Sequence, residues 1–240
     1  MRFSPLGDRA VVIEVGSSID VATHRRVRAI CARLDEHRVP GMIEYVPAFA
    51  SVVVHYEPAR VPPMPAHAGD SDIAPTSYAR MVAGLRSALA DVRDQALPPA
   101  AVVEIPVCYG GELGPDLEDV ATTHEMSSAD VIHLHAAGDY LVYMVGFMPG
   151  FAYLGGLSDA LATPRRPVPR TQVPAGSVGI GGSQTGVYPM DSPGGWNLIG
   201  RTPRRIFLPD REPPTLLRMG DRVRFRPISR DEYDSWTEHA

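Results

Sequence analysis

The sequence contains no lysine, and all 23 of its basic residues are arginine. This absence excludes three kinds of site on this chain: a phosphate-binding loop that depends on lysine, a lysine that forms a Schiff base, and a lysine that carries biotin. Acidic residues outnumber basic ones, so the formal net charge is -5, and the arginines do not form a basic stripe. This charge pattern argues against a nucleic-acid partner.

Cysteine is nearly as rare, and long apolar runs are missing. Cys31 and Cys108 are the two cysteines, and they lie far apart in the sequence, which gives neither a disulfide framework nor the spacing of a metal site. No apolar run reaches about 18 residues, and the first residues do not resemble a signal peptide. We therefore expect a cytoplasmic protein with no membrane segment and no metal-binding residues of its own.

Glycine and proline are abundant instead, and they concentrate between residues 146 and 203. Apolar and aromatic residues such as Phe151, Ile180 and Trp196 recur between the breaks, whereas a flexible linker would lack them. The stretch therefore predicts a loop-rich β structure with a core of its own. Its carboxylates are scarce, since only Asp159 and Asp191 occur, which argues against the paired carboxylates of a glycosidase.

The residues before this stretch predict a small α/β unit. Alternating and helical apolar patterns define its elements, and Ser18 is the predicted N-cap of the first helix. A proline-rich segment, residues 58–75, is expected to have little regular structure. The expected elements are strands over residues 2–15, a helix over 19–38, strands over 42–47 and 51–56, and a second helix over 78–92.

The ALPPAA segment at residues 96–101 is the predicted domain boundary. It divides the chain into an N-terminal α/β domain, residues 1–97, and a C-terminal, mostly β domain, residues 98–240. Ser127 and Asp130 have the spacing of a capping box at the start of a short helix. The expected C-terminal elements are strands over 102–109, 140–147, 206–208 and 221–227, and short helices over 115–123, 127–133 and 229–238.

Three motifs of low degeneracy lie within the glycine- and proline-rich stretch. They read GFxPGFxYL at residues 146–154, VPAGSVxIxGxQTGxYP at residues 173–189 and SPGGWxLIGRT at residues 192–202. On these motifs the chain resembles the KipI/PxpB family, whose members are also called allophanate hydrolase subunit 1 and carry a carboxyltransferase-type domain. The similarity extends to residues 7–16, 105–121 and 220–229, and therefore covers essentially the whole chain.

The resemblance implies both a fold and an activity. The fold would be α+β, with a small N-terminal α/β domain followed by a C-terminal cyclophilin-like β-barrel. The activity would be that of a subunit of ATP-dependent 5-oxoprolinase, which opens 5-oxo-L-proline to L-glutamate. PxpC-like and PxpA-like chains would be the partners, ATP would bind with Mg²⁺ at a site shared between subunits, and this chain alone would be inactive.

Two alternative functions stay open at this point. One is the carboxyltransferase-type subunit of an allophanate hydrolase or urea carboxylase system, whose biotin would be carried by another chain. The other is a KipI-like inhibitor that binds a sensor histidine kinase through the barrel. The sequence does not select against either of them.

Polar side chains of the same stretch form the predicted site. Guanidinium groups and neutral hydrogen-bonding side chains predominate there, a set that suits an anionic or amide-bearing ligand. The segment GIGGSQTG at residues 179–186 resembles a phosphate cradle without its lysine, and a β-turn is the other interpretation. The predicted substrate- or nucleotide-binding residues are Arg165, Arg170, Gly182, Ser183, Thr185, Tyr188 and Arg201, with Arg166 as a further guanidinium nearby.

Gln184 and His135 are the predicted catalytic residues. Gln184 is expected to contact a substrate amide or carboxylate. His133 and His135 would share a face on a strand and bind metal there, but on the helix that the preceding cap predicts they diverge. The family resemblance places a histidine shortly before the strand that begins at Tyr140, so His135 alone is a candidate catalytic or ligand-orienting group. A core or capping histidine is the alternative.

Overall fold

The computed structural model describes residues 1–63, 75–92 and 97–237 of the chain. The chain divides into two compact units, Met1–Pro99 and Ala100–Ala240. Both units contain helices and strands, and the second contains a closed barrel. The predicted α+β class with a β-barrel in the C-terminal part is therefore confirmed. No helix in the described part of the chain is long and apolar enough to cross a membrane.

The first unit is a four-stranded antiparallel sheet with helices packed on its two central strands, β2 (Ala10–Glu14) and β4 (Ser51–Tyr56). Alternation along these two strands points Val11, Ile13, Val52 and Val54 into the core, where none of them is exposed. The strand order is β1-β2-β4-β3. The elements are β1 (Arg2–Pro5), β2 (Ala10–Glu14), α1 (Val21–Glu36), β3 (Met42–Pro47), β4 (Ser51–Tyr56) and α2 (Ser77–Ala88).

The start of α1 differs from the expectation. Asp20 is the N-cap, and its carboxylate accepts a hydrogen bond from the backbone N–H of Thr23 at 2.8 Å. Ser18 instead donates its hydroxyl to Asp20 at 2.6 Å, so the prediction of Ser18 as the cap was wrong. A carboxylate next to the first turn also complements the helix dipole better than a hydroxyl does. Of the proline-rich segment, Pro58–Arg60 forms a 3₁₀ turn, and residues 64–74 lie outside the described residues.

The second unit contains a closed barrel of seven strands. They are β5 (Val102–Tyr109), β6 (Tyr140–Val145), β7 (Ala152–Gly155), β9 (Ser177–Gly181), β10 (Gln184–Val187), β12 (Asn197–Arg201) and β13 (Arg222–Pro227). Their order around the barrel is β10-β7-β6-β13-β5-β12-β9. β5 and β13 pair in parallel, and the other neighbours in the barrel pair antiparallel. Two separate strands, β8 (Arg170–Val173) and β11 (Ser192–Gly194), form a two-stranded ribbon.

Two helices cover one side of the barrel. α3 (Leu117–Thr123) packs on β12, and α4 (Ser128–Ala136) packs on β13. The predicted capping box of α4 is confirmed, because the side chain of Ser127 accepts from the backbone of Asp130 while Asp130 accepts from the backbone of Ser127. A last short helix, α5 (Arg230–Asp234), follows β13.

One predicted strand is not formed. Residues 206–208 make only an isolated bridge between Phe207 and Thr215, and β12 passes to β13 through turns. Pro203, Pro209, Pro213 and Pro214 lie in this connection. Because proline has no N–H to donate to a ladder, this density of proline interrupts pairing.

The GIGGSQTG segment is the hairpin between β9 and β10. Gly181 pairs with Gln184, which leaves Gly182 and Ser183 as a two-residue turn. Gly182 has a positive φ of 64°, which glycine adopts without steric cost. The segment is therefore a β-turn, and its tip is tied to the neighbouring loop by two backbone hydrogen bonds between Gly182 and Thr163.

Replacing Gly181 with alanine is expected to displace Trp196, because the new Cβ would lie 2.5 Å from the indole Nε1. We expect the G181A variant to lose roughly 1–3 kcal/mol of unfolding free energy through overpacking and to change its tryptophan fluorescence. Gly182 is the matched control, since a Cβ there meets nothing within 4 Å. G182A should lose only about 1–2 kcal/mol through left-handed strain and keep the fluorescence of the parent. Unchanged fluorescence in G181A would contradict the packing described.

Candidate functional site

Asp116 is the centre of a three-residue ionic cluster on the barrel unit. Its side chain is only 2% exposed, and its Oδ1 accepts hydrogen bonds from Arg166 Nη1 and Arg170 Nη2, each at 2.7 Å. Its Oδ2 accepts from the backbone N–H of Leu198 at 2.6 Å. One carboxylate therefore orients two guanidinium groups and ties both to β12. We call Asp116, Arg166 and Arg170 the Asp116 triad.

The local sequence explains why Asp116 reaches β12. The backbone N–H of Asp116 donates to the carbonyl of Leu198 at 2.9 Å, so the two residues are joined in both directions. Gly114 permits this approach, because a Cβ at that position would overlap the carbonyl of Ile199. Asp116 also lies at the N-cap position of α3, yet its side chain makes no capping hydrogen bond. The carboxylate is used for the arginines instead.

The guanidinium groups of the triad are only partly satisfied. Arg166 keeps 34% of its side chain exposed and Arg170 keeps 25%. The Nε of Arg166 and the Nη1 of Arg170 are buried and have no hydrogen-bond partner among the residues that the structure describes. Because an unmet buried donor is unfavourable, such groups are sites for a ligand or an ordered water. Two positive charges against one negative charge also leave the triad with a net charge of about one unit.

An aromatic cluster lies beside the arginines. Phe151, Tyr188 and Trp196 pack edge to face, with ring centroids 5.6 to 6.3 Å apart. Arg165 lies over the Trp196 ring, with 5.9 Å from its Cζ to the centroid. Burial raises the pKa of Tyr188, and the charges of Arg165 and Arg170 act against that rise. Arg165 and Arg170 are therefore both within electrostatic reach of the same ring.

Exposed apolar residues border the aromatic cluster. Phe147 is 71% exposed and packs edge to face on Phe151 at 5.7 Å. Its φ of 73° is left-handed, a conformation that is costly for a bulky residue. Val168, in the loop that carries Arg166, is 78% exposed. This flank of the barrel unit is open.

The structure brings several of the predicted site residues together. Arg170 belongs to the triad, Arg165 and Tyr188 belong to the aromatic cluster, and Gly182 and Ser183 form the exposed hairpin tip. The tip adjoins the others because Gly182 is bonded to Thr163, two residues before Arg165. Gly181 also packs against Trp196. Gln184 is half-buried at the start of β10.

His135 and Thr185 lie elsewhere, inside the barrel unit. Neither is exposed, and His135 Nε2 lies 2.9 Å from the Oγ1 of Thr185. Thr185 donates its hydroxyl to the carbonyl of Gly179, so His135 Nε2–H must be the donor to Thr185. His135 Nδ1 then accepts from the hydroxyl of Tyr109 at 2.7 Å. Burial lowers the pKa of His135 to about 3. These surroundings fit the alternative interpretation of a neutral core histidine, and the catalytic role stays a prediction.

Arg201 belongs to a different polar cluster. It lies opposite Ser177 on β9, and its charge helps to lower the pKa of the Asp191 carboxyl. The larger causes of that shift are hydrogen bonds to Asp191 from the backbone of Ala175 and the side chain of Gln172. The Nε of Arg201 is buried without a hydrogen-bond partner in the described part of the chain. Arg201 makes none of the hydrogen bonds of the triad.

The sequence patterns did not identify Asp116, and they left Arg166 unassigned. An aspartate after Gly-Pro and before a short helix has the pattern of an N-cap, which hides its role as a partner of distant arginines. The available signal was the clustering of Arg165, Arg166 and Arg170 in a segment poor in carboxylates. Such a cluster needs a counter-charge from another part of the chain.

The described residues give this site neither a metal-binding cluster nor a share in the lining of the groove of the first unit. Within the described ranges, no group of three or more His, Cys, Asp or Glu side chains is arranged to hold a metal ion. The first unit has a groove of about 710 Å³ in which none of the predicted site residues takes part. It is lined by Met1, Val15, Arg25, Arg26, Ala29, Ile30, Val92 and Leu97.

Comparisons with known proteins define the class. Residues 1–217 match the family described as carboxyltransferase domain, subdomain C and D, and the chain belongs to this family. The family resemblance predicted from the sequence is therefore confirmed. A 5-oxoprolinase subunit from Bacillus subtilis is 45% identical over 100% of this chain and 98% of its own length.

Two further relatives are informative. The crystal structure of TTHA0988 superimposes with a TM-score of 0.76 at 37% identity and covers 92% of this chain. This chain spans only 40% of the TTHA0988 chain, so that relative contains additional polypeptide. The urea amidolyase of Lachancea kluyveri is more distant, at 25% identity over 99% of this chain and 14% of its own length.

Removal of the charge of Asp116 should destabilise the barrel unit more than removal of one arginine. In D116N two guanidinium groups lose their counter-charge in a buried setting, and we expect a loss of about 3 kcal/mol in unfolding free energy. In R166Q the carboxylate keeps Arg170 and the N–H of Leu198, so the loss should be nearer 1 kcal/mol. Urea unfolding of both variants measures the difference. Equal losses would contradict a carboxylate shared between the two arginines.

The buried neutral His135 predicts a pH dependence of stability. An unfolded histidine binds a proton below about pH 6.5, whereas folded His135, with its lowered pKa, does not bind one until near pH 3. The unfolding free energy should therefore fall by up to about 1.4 kcal/mol per pH unit as the pH drops below about 6.5.

Urea unfolding between pH 5 and 7 measures this effect. The H135Q variant should lose this part of the slope, and the matched H133Q variant, altered at the exposed histidine of the same helix, should retain it. The opposite pattern would contradict the burial of a neutral His135.

Proposed function

We propose that this chain is a subunit of an ATP-dependent 5-oxoprolinase, which converts 5-oxo-L-proline to L-glutamate. The observation that carries the proposal is the end-to-end match, at 45% identity, with a protein named as a subunit of 5-oxoprolinase. Both units of the chain take part in that match, so it does not reflect one shared module alone. The subunit designation supports a hetero-oligomer, with PxpC-like and PxpA-like chains as partners.

The reaction needs activation because a lactam is a poor electrophile. Transfer of the γ-phosphoryl group of ATP to the lactam oxygen releases ADP and makes the ring carbon reactive. One water then adds to that carbon, and the ring C–N bond breaks with protonation of the nitrogen. A second water releases phosphate from the resulting acyl phosphate. Positive groups that are held in place before the reaction stabilise the charge on the transferred group.

The barrel unit supplies arginine side chains to the proposed site. The Asp116 triad holds two guanidinium groups in place, while Arg165 and the turn at Gly182 and Ser183 are exposed beside them. The chain has no lysine for the phosphates of ATP. We therefore propose that ATP and Mg²⁺ bind where a partner completes the site, with Gln184 contacting the substrate amide. The open flank at Phe147 and Val168 supports completion by another polypeptide.

The carboxyltransferase alternative has weaker support. It rests on the family description and on the urea amidolyase relative, whose identity of 25% is well below that of the 5-oxoprolinase relative. It also requires a biotin carrier on another chain, because no lysine is present here. The 5-oxoprolinase proposal accounts for the higher identity over both units.

Reconstitution of activity tests the proposal. We expect the purified chain alone to form little glutamate from 5-oxo-L-proline and ATP, and a mixture with PxpC-like and PxpA-like chains to form glutamate and ADP together. Omission of each chain in turn is the control. Full turnover by the isolated chain would contradict a shared site, and an inactive complete mixture would contradict the function. A complex that instead carboxylates urea, or a chain that only captures a kinase dimerisation domain, would favour the corresponding alternative.

A further inference from the structure

We propose that Arg166 and Arg170 bind the carboxylate of the substrate, and that phosphoryl transfer takes place beyond the Asp116 triad. The inference rests on the proposed function, because it assigns one group of the 5-oxoprolinase substrate to residues of this chain. Neither the family description nor the names of the relatives assigns such a subsite. The substrate class is a small monocarboxylate with a neutral ring.

The first support is geometric. The Nη atoms of Arg166 and Arg170 meet at the same oxygen of Asp116, so the two guanidinium groups are close neighbours with fixed orientation. Each has further N–H groups that Asp116 does not use, and both side chains keep part of their surface exposed, 34% for Arg166 and 25% for Arg170. A carboxylate presents two oxygens in one plane, which matches paired guanidinium donors.

The second support is the charge balance. The two arginines and Asp116 leave about one positive charge at the triad. One carboxylate neutralises that charge, whereas the phosphates of ATP carry several negative charges and need more cations than the triad offers. Because the guanidinium groups of Arg166 and Arg170 are partly buried, an uncompensated charge of either sign at the triad is costly.

The third support is the apolar surface next to the arginines. Tyr188 lies within electrostatic reach of Arg170, and its ring packs on Trp196. Both rings are buried, and the exposed apolar residue beside the arginines is Val168, which lies between Arg166 and Arg170 in the sequence. A lactam ring is small and neutral, so it can lie against this surface while its carboxylate faces the guanidinium groups. Asp116 acts as a positioning residue, because it orients both arginines through hydrogen bonds and through its link to Leu198.

The test uses the reconstituted complex with R166Q and R170Q variants of this chain. We expect the KM for 5-oxo-L-proline to rise roughly tenfold or more, because a charged hydrogen bond is lost. The KM for ATP and kcat should stay within about twofold of the parent values. The lost contact stabilises the bound substrate and the transition state equally, so its removal does not change kcat. R222Q is the matched control, because Arg222 also pairs with a carboxylate, that of Asp139, at the barrel surface. It should leave the KM for 5-oxo-L-proline unchanged.

A neutral substrate analogue isolates the carboxylate. The carboxamide of 5-oxo-L-proline should inhibit the R166Q and R170Q complexes as well as it inhibits the parent, while the affinity for the acid falls. If the carboxamide inhibits neither the parent complex nor the variant complexes, the comparison of the KM for 5-oxo-L-proline with the KM for ATP decides. The R170K variant, which keeps the charge but loses the fork, should give an intermediate KM. Unfolding midpoints and co-elution with the partner chains show that each variant is folded and assembled.

The possible outcomes separate the two proposals. An active complex in which the variants raise the KM for ATP, or leave the KM for 5-oxo-L-proline near that of R222Q, would overturn the carboxylate assignment alone. A complete wild-type complex without 5-oxoprolinase activity would contradict the proposed function instead. If R166Q and R170Q both fail to assemble, R170K carries the test, and an unchanged KM in that folded variant would also overturn the assignment.

Discussion

The shared carboxylate of Asp116 is the constraint on which the candidate site depends. It lies at the start of a short helix, it is almost fully buried, and it holds two arginines and one backbone amide of β12. Arginine side chains are long and lose much conformational freedom when they are ordered. Because Asp116 orders them in the free protein, a ligand does not have to supply that ordering on binding.

The barrel supports this arrangement from several sides. β12 provides the amide of Leu198, the loop before β8 provides Arg165 and Arg166, and the hairpin between β9 and β10 is bonded to that loop through Gly182 and Thr163. The buried polar chain through Tyr109, His135 and Thr185 links β5, α4 and β10 inside the unit. Such fully directed hydrogen bonds favour one arrangement of a core over its alternatives. The open flank at Phe147 supports the proposal that another chain completes the site.

Much of the fold could be predicted from the sequence, while the pairing at the site could not. Alternation and caps predicted the strands of the first sheet, the α4 capping box and the β5 strand, because these signals are local. The partners of Asp116 lie 50, 54 and 82 positions away, and no local pattern reports such contacts. The arginine cluster was visible, but its counter-charge was not. Likewise, the motif that contains Thr185 suggested a ligand contact, whereas closure of the barrel turned that side chain inward to His135.

The central claim is that the Asp116 triad is a preformed receptor for one planar anionic group. A crystal structure of the assembled complex with 5-oxo-L-proline bound tests this claim most directly. The account predicts that the substrate carboxylate lies within about 3 Å of guanidinium nitrogens of Arg166 and Arg170, with the lactam ring toward the exposed Val168 and Asp116 still bonded to both arginines. A carboxylate bound elsewhere, a phosphate of ATP in its place, or a triad that opens to admit the substrate would contradict the account.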